Sequence, residues 1–158
     1  MYKRVLVPLD GSPLAEGILP FLLEIAGPLD MEVVLLRVVT PVPPTVVESS
    51  RFVHLDDIDV RLADAREYLA APAAELAARG LKSTVLVRRG DPVAEIIAGA
   101  REVGADLIAM TTHGRSGLGR LLFGSVAEAV LRESETPVFL MKLTEAQLRA
   151  RVGRGALR

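Results

Sequence analysis

Four glycines and two arginines are concentrated in residues 111–128, TTHGRSGLGRLLFGSVAE, between an apolar run and a helix-like pattern. Glycine lets a ligand approach the backbone closely, and a helix beginning at Ser125 would present unpaired N–H groups and the positive end of its dipole. Arg115 could add charge-assisted hydrogen bonds. Phosphate is the group that suits all three features. The alternative is a plain tight turn, a common role of glycine-rich loops.

Two known phosphate-binding motifs are absent from this segment. The dinucleotide motif G-x-G-x-x-G follows the first strand of its fold directly, whereas these glycines follow the fourth strand-like run. A P-loop ends in G-K-[ST], but Gly119 is followed by Arg120 and Leu121. A phosphate site here must therefore be of another type.

Composition narrows the possible classes of protein. The 158 residues suffice for one domain with its own core, and half of them are hydrophobic. The net charge of −1 gives no general attraction to nucleic acid or to an anionic membrane, and no apolar run reaches the length of a membrane span. The absence of cysteine excludes disulfides and thiolate chemistry, and His54 and His113 are too isolated to form a metal site. We expect a cytoplasmic protein without nucleic-acid or membrane partners.

Strand-like and helix-like runs alternate along the chain, which predicts an α/β fold with a parallel sheet covered on both faces. The predicted strands are residues 3–9, 31–39, 82–89, 105–112 and 136–143. The predicted helices are residues 13–26, 56–79, 92–104 and 125–133. Pro20 could kink the first helix or break it early, and Pro72 should bend the second. Ser12 and Asp91, each followed by proline, are the expected N-caps of the first and third helices.

The order of strands and helices also predicts where a ligand could bind. Because parallel crossovers are right-handed, the carboxyl ends of all strands meet at one edge of the sheet, where open α/β sheets bind ligands. The first strand ends there at Leu9 and Asp10, the second at Val38 and Val39, and the fourth at Met110. The longest connection, the Pro-rich segment 41–55, is a candidate flap or partner contact.

From Tyr2 to Lys142 the sequence resembles the universal stress protein family. The resemblance rests on four motifs: VLVPLDGSPLAE, RRGDPVAEII, ADLIAMTTHGRSGLGRLLFGSVAEAVLRES and TPVFLMK. It implies a Rossmann-like three-layer fold with a five-stranded parallel sheet in the order 3-2-1-4-5. It also implies a homodimer through the strand at 136–142. We expect a family domain over 1–143, followed by a basic tail over 144–158. In this tail Gly153 and Gly155 should limit any helix to a short one.

Members of this family that bind ATP carry the motif G-2x-G-9x-G-[ST]. The similar positions in this sequence are Thr111, Gly114, Gly124 and Ser125. The resemblance implies bound ATP, with which a Mg²⁺ ion could arrive. Thr111 replaces the first glycine; it adds bulk, but its hydroxyl could equally bond a ribose or phosphate oxygen. The implied ligand contacts are Asp10 at the ribose or adenine, the Val38 backbone at the adenine edge, Met110 on the base, and Gly114, Gly124, Ser125 and Val126 at the phosphates. The predicted binding residues are Leu9, Asp10, Val38, Met110, Thr111, Gly114, Arg115, Gly124, Ser125 and Val126.

Several of these residues also have purely structural interpretations. Ser125 and Glu128 could form a capping box, and Asp10 could merely accept the backbone N–H two residues on. Met110 could be core. His113 is more readily a loop residue than a general base, since no nucleophile can be placed beside it.

The sequence leaves three functions open. The first is an ATP-binding regulator or sensor of the stress response that needs no catalysis. The second is a dimeric interaction module that binds no nucleotide. The third is an enzyme acting on adenylates, for which no base or magnesium cage is evident. The downstream protein partner cannot be named from the sequence.

Overall fold

One five-stranded parallel sheet forms the centre of the protein, and its strand order is β3-β2-β1-β4-β5, as predicted. The computed structural model describes residues 1–41, 58–113 and 124–155. The Pro-rich segment lies, apart from residue 41, outside the described residues. The strands are β1 Arg4–Pro8, β2 Glu32–Val39, β3 Ser83–Arg89, β4 Leu107–His113 and β5 Val138–Leu143.

Helices cover both faces of the sheet, as its apolar strands require. The helices of the described residues are α1 Pro13–Glu16, α2 Leu19–Ile25, α3 Ile58–Ala78, α4 Pro92–Glu102, α5 Ser125–Glu133 and α6 Glu145–Gly155. One core cluster joins the sheet to α2 and α3, and a second joins it to α4 and α5. In β1 the residues Val5, Leu6 and Val7 are at most 1% exposed. This burial explains why β1 reads as a continuous apolar run instead of alternating with polar residues.

The expected helix over 13–26 is divided into α1 and α2, and the break lies at Gly17 and Ile18, before Pro20. Ser12 caps α1, with its hydroxyl 3.1 Å from the backbone N of Ala15, and Asp91 caps α4 in the same way, as predicted. Pro20 falls in the first turn of α2, where a missing N–H leaves no hydrogen bond unmade. Gly17 lies so close to Leu143 that a Cβ there would overlap the leucine Cδ1. Any larger residue at position 17 would therefore force the Leu143 side chain to move.

The expectation of only a short C-terminal helix is wrong. Helix α6 runs over 11 residues and continues through Gly153. It begins with a reciprocal capping box: the Thr144 hydroxyl accepts the backbone N–H of Gln147 at 3.2 Å, and the Gln147 side chain accepts that of Thr144 at 2.9 Å. This T-x-x-Q start offsets the low helix propensity of the two glycines. Residues 156–158 lie outside the described residues, and the division into domain and tail stays a prediction.

Candidate functional site

A crevice opens between β1 and β4 at the carboxyl edge of the sheet. β1 pairs with β2 over its whole length, from Arg4 to Pro8, but with β4 only at Val5–Leu107 and Leu6–Ile108. The crossovers run to opposite sides from this point, since β2 and β3 lie on one side of β1 and β4 and β5 on the other. This is the switch point at which open α/β sheets bind their ligands.

The crevice leads into a cleft of about 810 Å³, within the range of small-molecule sites. Eight of the ten predicted binding residues line it, and the other two, Gly114 and Arg115, lie outside the described residues. The eight are Leu9, Asp10, Val38, Met110, Thr111, Gly124, Ser125 and Val126. Residues from four parts of the sequence thus meet in one cavity, as the predicted topology requires.

The N-terminus of α5 opens on this cleft. Gly124 is the N-cap, and the backbone N–H of Glu128 donates to its carbonyl at 3.0 Å. Ser125, Val126 and Ala127 form the first turn of the helix. Their N–H groups therefore have no acceptor within the helix. The capping box considered for Ser125 and Glu128 is not formed, because Gly124 and not Ser125 is the N-cap, and this cap has no side-chain hydrogen bond. The cleft therefore has a set of amide donors and a positive dipole end at this wall.

Gly124 differs from the glycines that the fold itself requires. Its φ is −56°, which any residue can adopt, and a Cβ built on it meets no described atom within 4 Å. Neither backbone angle nor packing among the described residues explains glycine here. A ligand lying against the backbone would explain it.

Val38 presents its backbone to the cleft beyond the end of β1. The Leu36 carbonyl accepts the Leu9 N–H at 2.8 Å, and the Val39 carbonyl accepts the Gly90 N–H at 3.1 Å on the opposite side. Because backbone groups alternate along a strand, the Val38 carbonyl points to the β1 side, where β1 has already ended. The exposed Asp10 lies in the turn after β1; its Oδ1 accepts the Ser12 N–H at 2.9 Å, which is the expected local turn.

Thr111 and Met110 occupy opposite faces of β4. The Thr111 hydroxyl donates to the Leu14 carbonyl of α1 at 2.7 Å, so its hydrogen is already used within the protein. Met110 is 9% exposed and belongs to the core beneath α4 and α5, while it also lines the cleft. Met110 is therefore a core residue that also lines the cleft, and its packing on a base stays a prediction.

Sequence reasoning missed a polar cluster on the wall formed by β2 and α3. The guanidinium carbon of Arg37 lies 5.5 Å from the ring centre of Tyr68, and the Tyr68 hydroxyl donates to Glu16 Oε1 at 2.8 Å. Burial, and after it the hydrogen bond to Glu16, raises the pKa of Tyr68 well above its usual range, so the phenol stays neutral. Arg37 is the one charged residue between Val33 and Val39 of β2, and it was the one sequence signal for this cluster.

Neither a cluster of metal-ligating side chains nor a membrane-spanning helix occurs among the described residues. Within them, no three His, Asp or Glu side chains are grouped as a metal site would require. The same ranges contain no helix of the length and apolarity that a membrane crossing needs. His113 is the last residue of β4.

The order 3-2-1-4-5, with a cleft at the switch point, defines a Rossmann-like α/β protein. Residues 1–142 match the family model described as the universal stress protein family. The chain belongs to the universal stress protein family.

Individual relatives agree with this assignment. The universal stress protein MJ0531 of Methanocaldococcus jannaschii is 32% identical over 144 residues, which cover 90% of this chain and 83% of that protein. The solved structure of MJ0577, from the same organism, has a TM-score of 0.73 at 30% identity and covers 92% of this chain and 99% of its own. A universal stress protein in complex with cAMP has a TM-score of 0.66 at 25% identity, covering 89% and 97%.

Proposed function

We propose that this chain binds ATP in the cleft at the carboxyl edge of its sheet and acts as a nucleotide-dependent regulator or sensor in the cytoplasmic stress response. The observation that carries this proposal is the start of α5. There, amide donors that have no partner within the helix line the cleft beside a glycine that the described fold does not itself require. The related structure in complex with cAMP supports a nucleotide as the ligand.

Each part of the nucleotide would contact a different set of residues in the cleft. The amides of Ser125 and Val126, with Gly124, would receive the phosphates; Gly114 and Arg115 would join them from the loop. The Val38 carbonyl would accept a hydrogen bond from the adenine amino group, and Met110 would pack on the base. Asp10 has a second carboxylate oxygen for the ribose hydroxyls. A Mg²⁺ ion would arrive with the nucleotide, since no cage of carboxylates stands at the phosphate end of the described cleft.

Thr111 is compatible with this arrangement. Its hydroxyl is bonded to Leu14 on the α1 side of the sheet, whereas α5 covers the other side. The side chain is thereby held away from the phosphate wall. The departure from glycine at this position thus leaves the amides of α5 open to a ligand.

A second candidate function, a dimeric interaction module without nucleotide, is favoured by that same hydrogen bond. If Thr111 serves to hold β4 against α1, a ligand is not needed to explain the residue at this position. Denaturing freshly purified protein, analysing the released nucleotides by chromatography and titrating the emptied protein with ATP separates the two. We expect adenine nucleotide to be released or to bind at millimolar concentration or below; an empty protein without millimolar affinity would favour the module.

Catalysis is not needed for the proposed role. Among the described cleft residues, Tyr68 is held neutral by burial, and no side chain is placed as a base at the α5 wall. We expect ATP turnover far below about 1 per second, the low end of ordinary enzymes. Steady turnover at or above that rate, measured by phosphate release, would instead favour an enzyme.

The proposed homodimer forms through the strand at 136–142, which overlaps β5 at the edge of the sheet. Ile108 donates its N–H to the Pro137 carbonyl at 2.9 Å, so the backbone groups of 137, 139 and 141 face β4. Those of 138, 140 and 142 face outward and would pair with a second copy. An apolar edge of this kind invites such pairing.

Replacing Leu140 with proline tests this edge. The variant removes one outward N–H at the centre of the strand, and we expect the dimer to become a monomer at micromolar concentration. Leu140→Ala is the matched control, because it loses the same packing but keeps the N–H. Size-exclusion chromatography with light scattering gives the mass; a monomeric wild type, or a proline variant that stays dimeric, would contradict the proposed edge.

A further inference from the structure

Arg37 is a half-buried cation on the wall of the cleft away from α5. It lies on β2, and β1 separates β2 from β4, which leads into α5. Neighbouring strands lie about 4.8 Å apart, so the ends of β2 and β4 are separated by roughly 10 Å. A ligand that touches both Arg37 and the start of α5 must therefore present two separated acceptor groups.

The donors of Arg37 are largely unused by the described residues. Its guanidinium has five N–H groups, and the one hydrogen bond among the described residues runs from Nη1 to the Leu9 carbonyl at a long 3.4 Å. No ion pair of the described residues involves Arg37. Nη1 also stands in front of Gly11, 3.7 Å from where a Cβ would be. Donors that no described residue accepts thus lie beside the turn that follows β1.

Tyr68 holds this cation in place. Its ring stacks under the guanidinium at 5.5 Å, and its own hydroxyl is fixed by Glu16. A guanidinium that is already ordered loses little freedom when it binds an anion. Tyr68 is therefore a positioning residue for Arg37.

The other charged side chains that line the cleft do not neutralise the positive charge of Arg37. The cleft is also lined by Arg61, which is half-buried, and by Asp10 and Asp64, which are exposed. Water screens the two exposed carboxylates more strongly than it screens a guanidinium packed on a ring. The Glu16 carboxylate accepts the Tyr68 hydroxyl.

We propose that Arg37 is a specificity-determining residue that binds a second anionic group of the ligand, so that the cleft prefers nucleotides phosphorylated at two separate positions. The group would be a phosphate on the ribose side, in addition to the phosphate chain at α5. This inference rests on the proposed nucleotide binding and adds a ligand class to it. Arginine suits the task because its planar fork matches phosphate oxygens in pairs.

The experiment compares two ligands with the same base and the same number of phosphates. Adenosine 3′,5′-bisphosphate carries them at separate positions, whereas ADP carries both in one chain. Affinities for wild type, Arg37→Gln, Arg37→Lys and Arg101→Gln are measured by calorimetry at one ionic strength. Arg101 is an exposed arginine paired with Glu135 outside the cleft and serves as the charge-matched control. Thermal unfolding checks that each variant is folded.

Wild type should bind the bisphosphate more tightly than ADP. Arg37→Gln should lose about 10-fold or more of the bisphosphate affinity and less than about 3-fold of the ADP affinity. Arg37→Lys should restore part of the loss, and Arg101→Gln should change neither affinity. Equal binding of the two ligands by wild type, or an equal loss of both in Arg37→Gln, would overturn the inference while nucleotide binding stands. Binding of neither ligand by wild type would contradict the proposed function and the inference together.

Discussion

Gly124→Val is expected to weaken ATP binding by at least about 10-fold while the protein stays folded. The glycine φ of −56° suits valine, and the added side chain meets no described atom of the protein. It would instead fill the space in front of the amides of Ser125 and Val126. Losing hydrogen bonds to a charged phosphate costs about 1.5–3 kcal/mol, which sets the size of the effect.

A graded series separates blocking of the ligand from damage to the helix. Gly124→Ala adds only the Cβ and should weaken binding less than valine does. Both variants replace a tolerated N-cap and should lower the free energy of unfolding by about 1 kcal/mol, which urea denaturation measures. Unchanged ATP affinity in Gly124→Val would refute the placement of the phosphates at α5.

Gly17→Ala is expected to have the largest effect on stability, a loss of about 1–3 kcal/mol in the free energy of unfolding. The added Cβ would overlap Cδ1 of Leu143, and that residue is 6% exposed and has little room to move. The overlap lies at the bend between α1 and α2. Urea denaturation of the variant and of wild type gives the difference.

The double variant with Leu143→Ala tests the stated cause. Leu143→Ala alone should destabilise by leaving a cavity, but in the Gly17→Ala background it also removes the overlap. The two losses should therefore be less than additive, by about 0.5 kcal/mol or more. Additive losses would show that Gly17 is required for some reason other than contact with Leu143.

Much of the fold could be predicted because its signals are local. The caps at Ser12 and Asp91 and the start of α5 at Ser125 were found within one residue, since capping depends on a few neighbouring side chains. The strand order came from the resemblance, not from periodicity. The capping box of Thr144 and Gln147 is also a local signal, but it was missed because the two glycines of α6 argued against a helix there.

The arrangement inside the cleft could not be predicted in the same way. Arg37, Tyr68 and Glu16 are far apart in sequence, and their contact depends on how α3 packs against α1 and the sheet. The hydroxyl of Thr111 found a partner on α1, which no local pattern indicates.

The central claim is that the amides at the start of α5 bind the phosphates of a nucleotide. A titration of isotope-labelled protein with ATP, followed through its backbone amide NMR signals, tests it most directly. We predict saturable shifts of the Ser125 and Val126 signals, together with those of Asp10 and Val38 at the other side of the crevice. Signals of Ser125 and Val126 that stay in place up to millimolar ATP would contradict the claim.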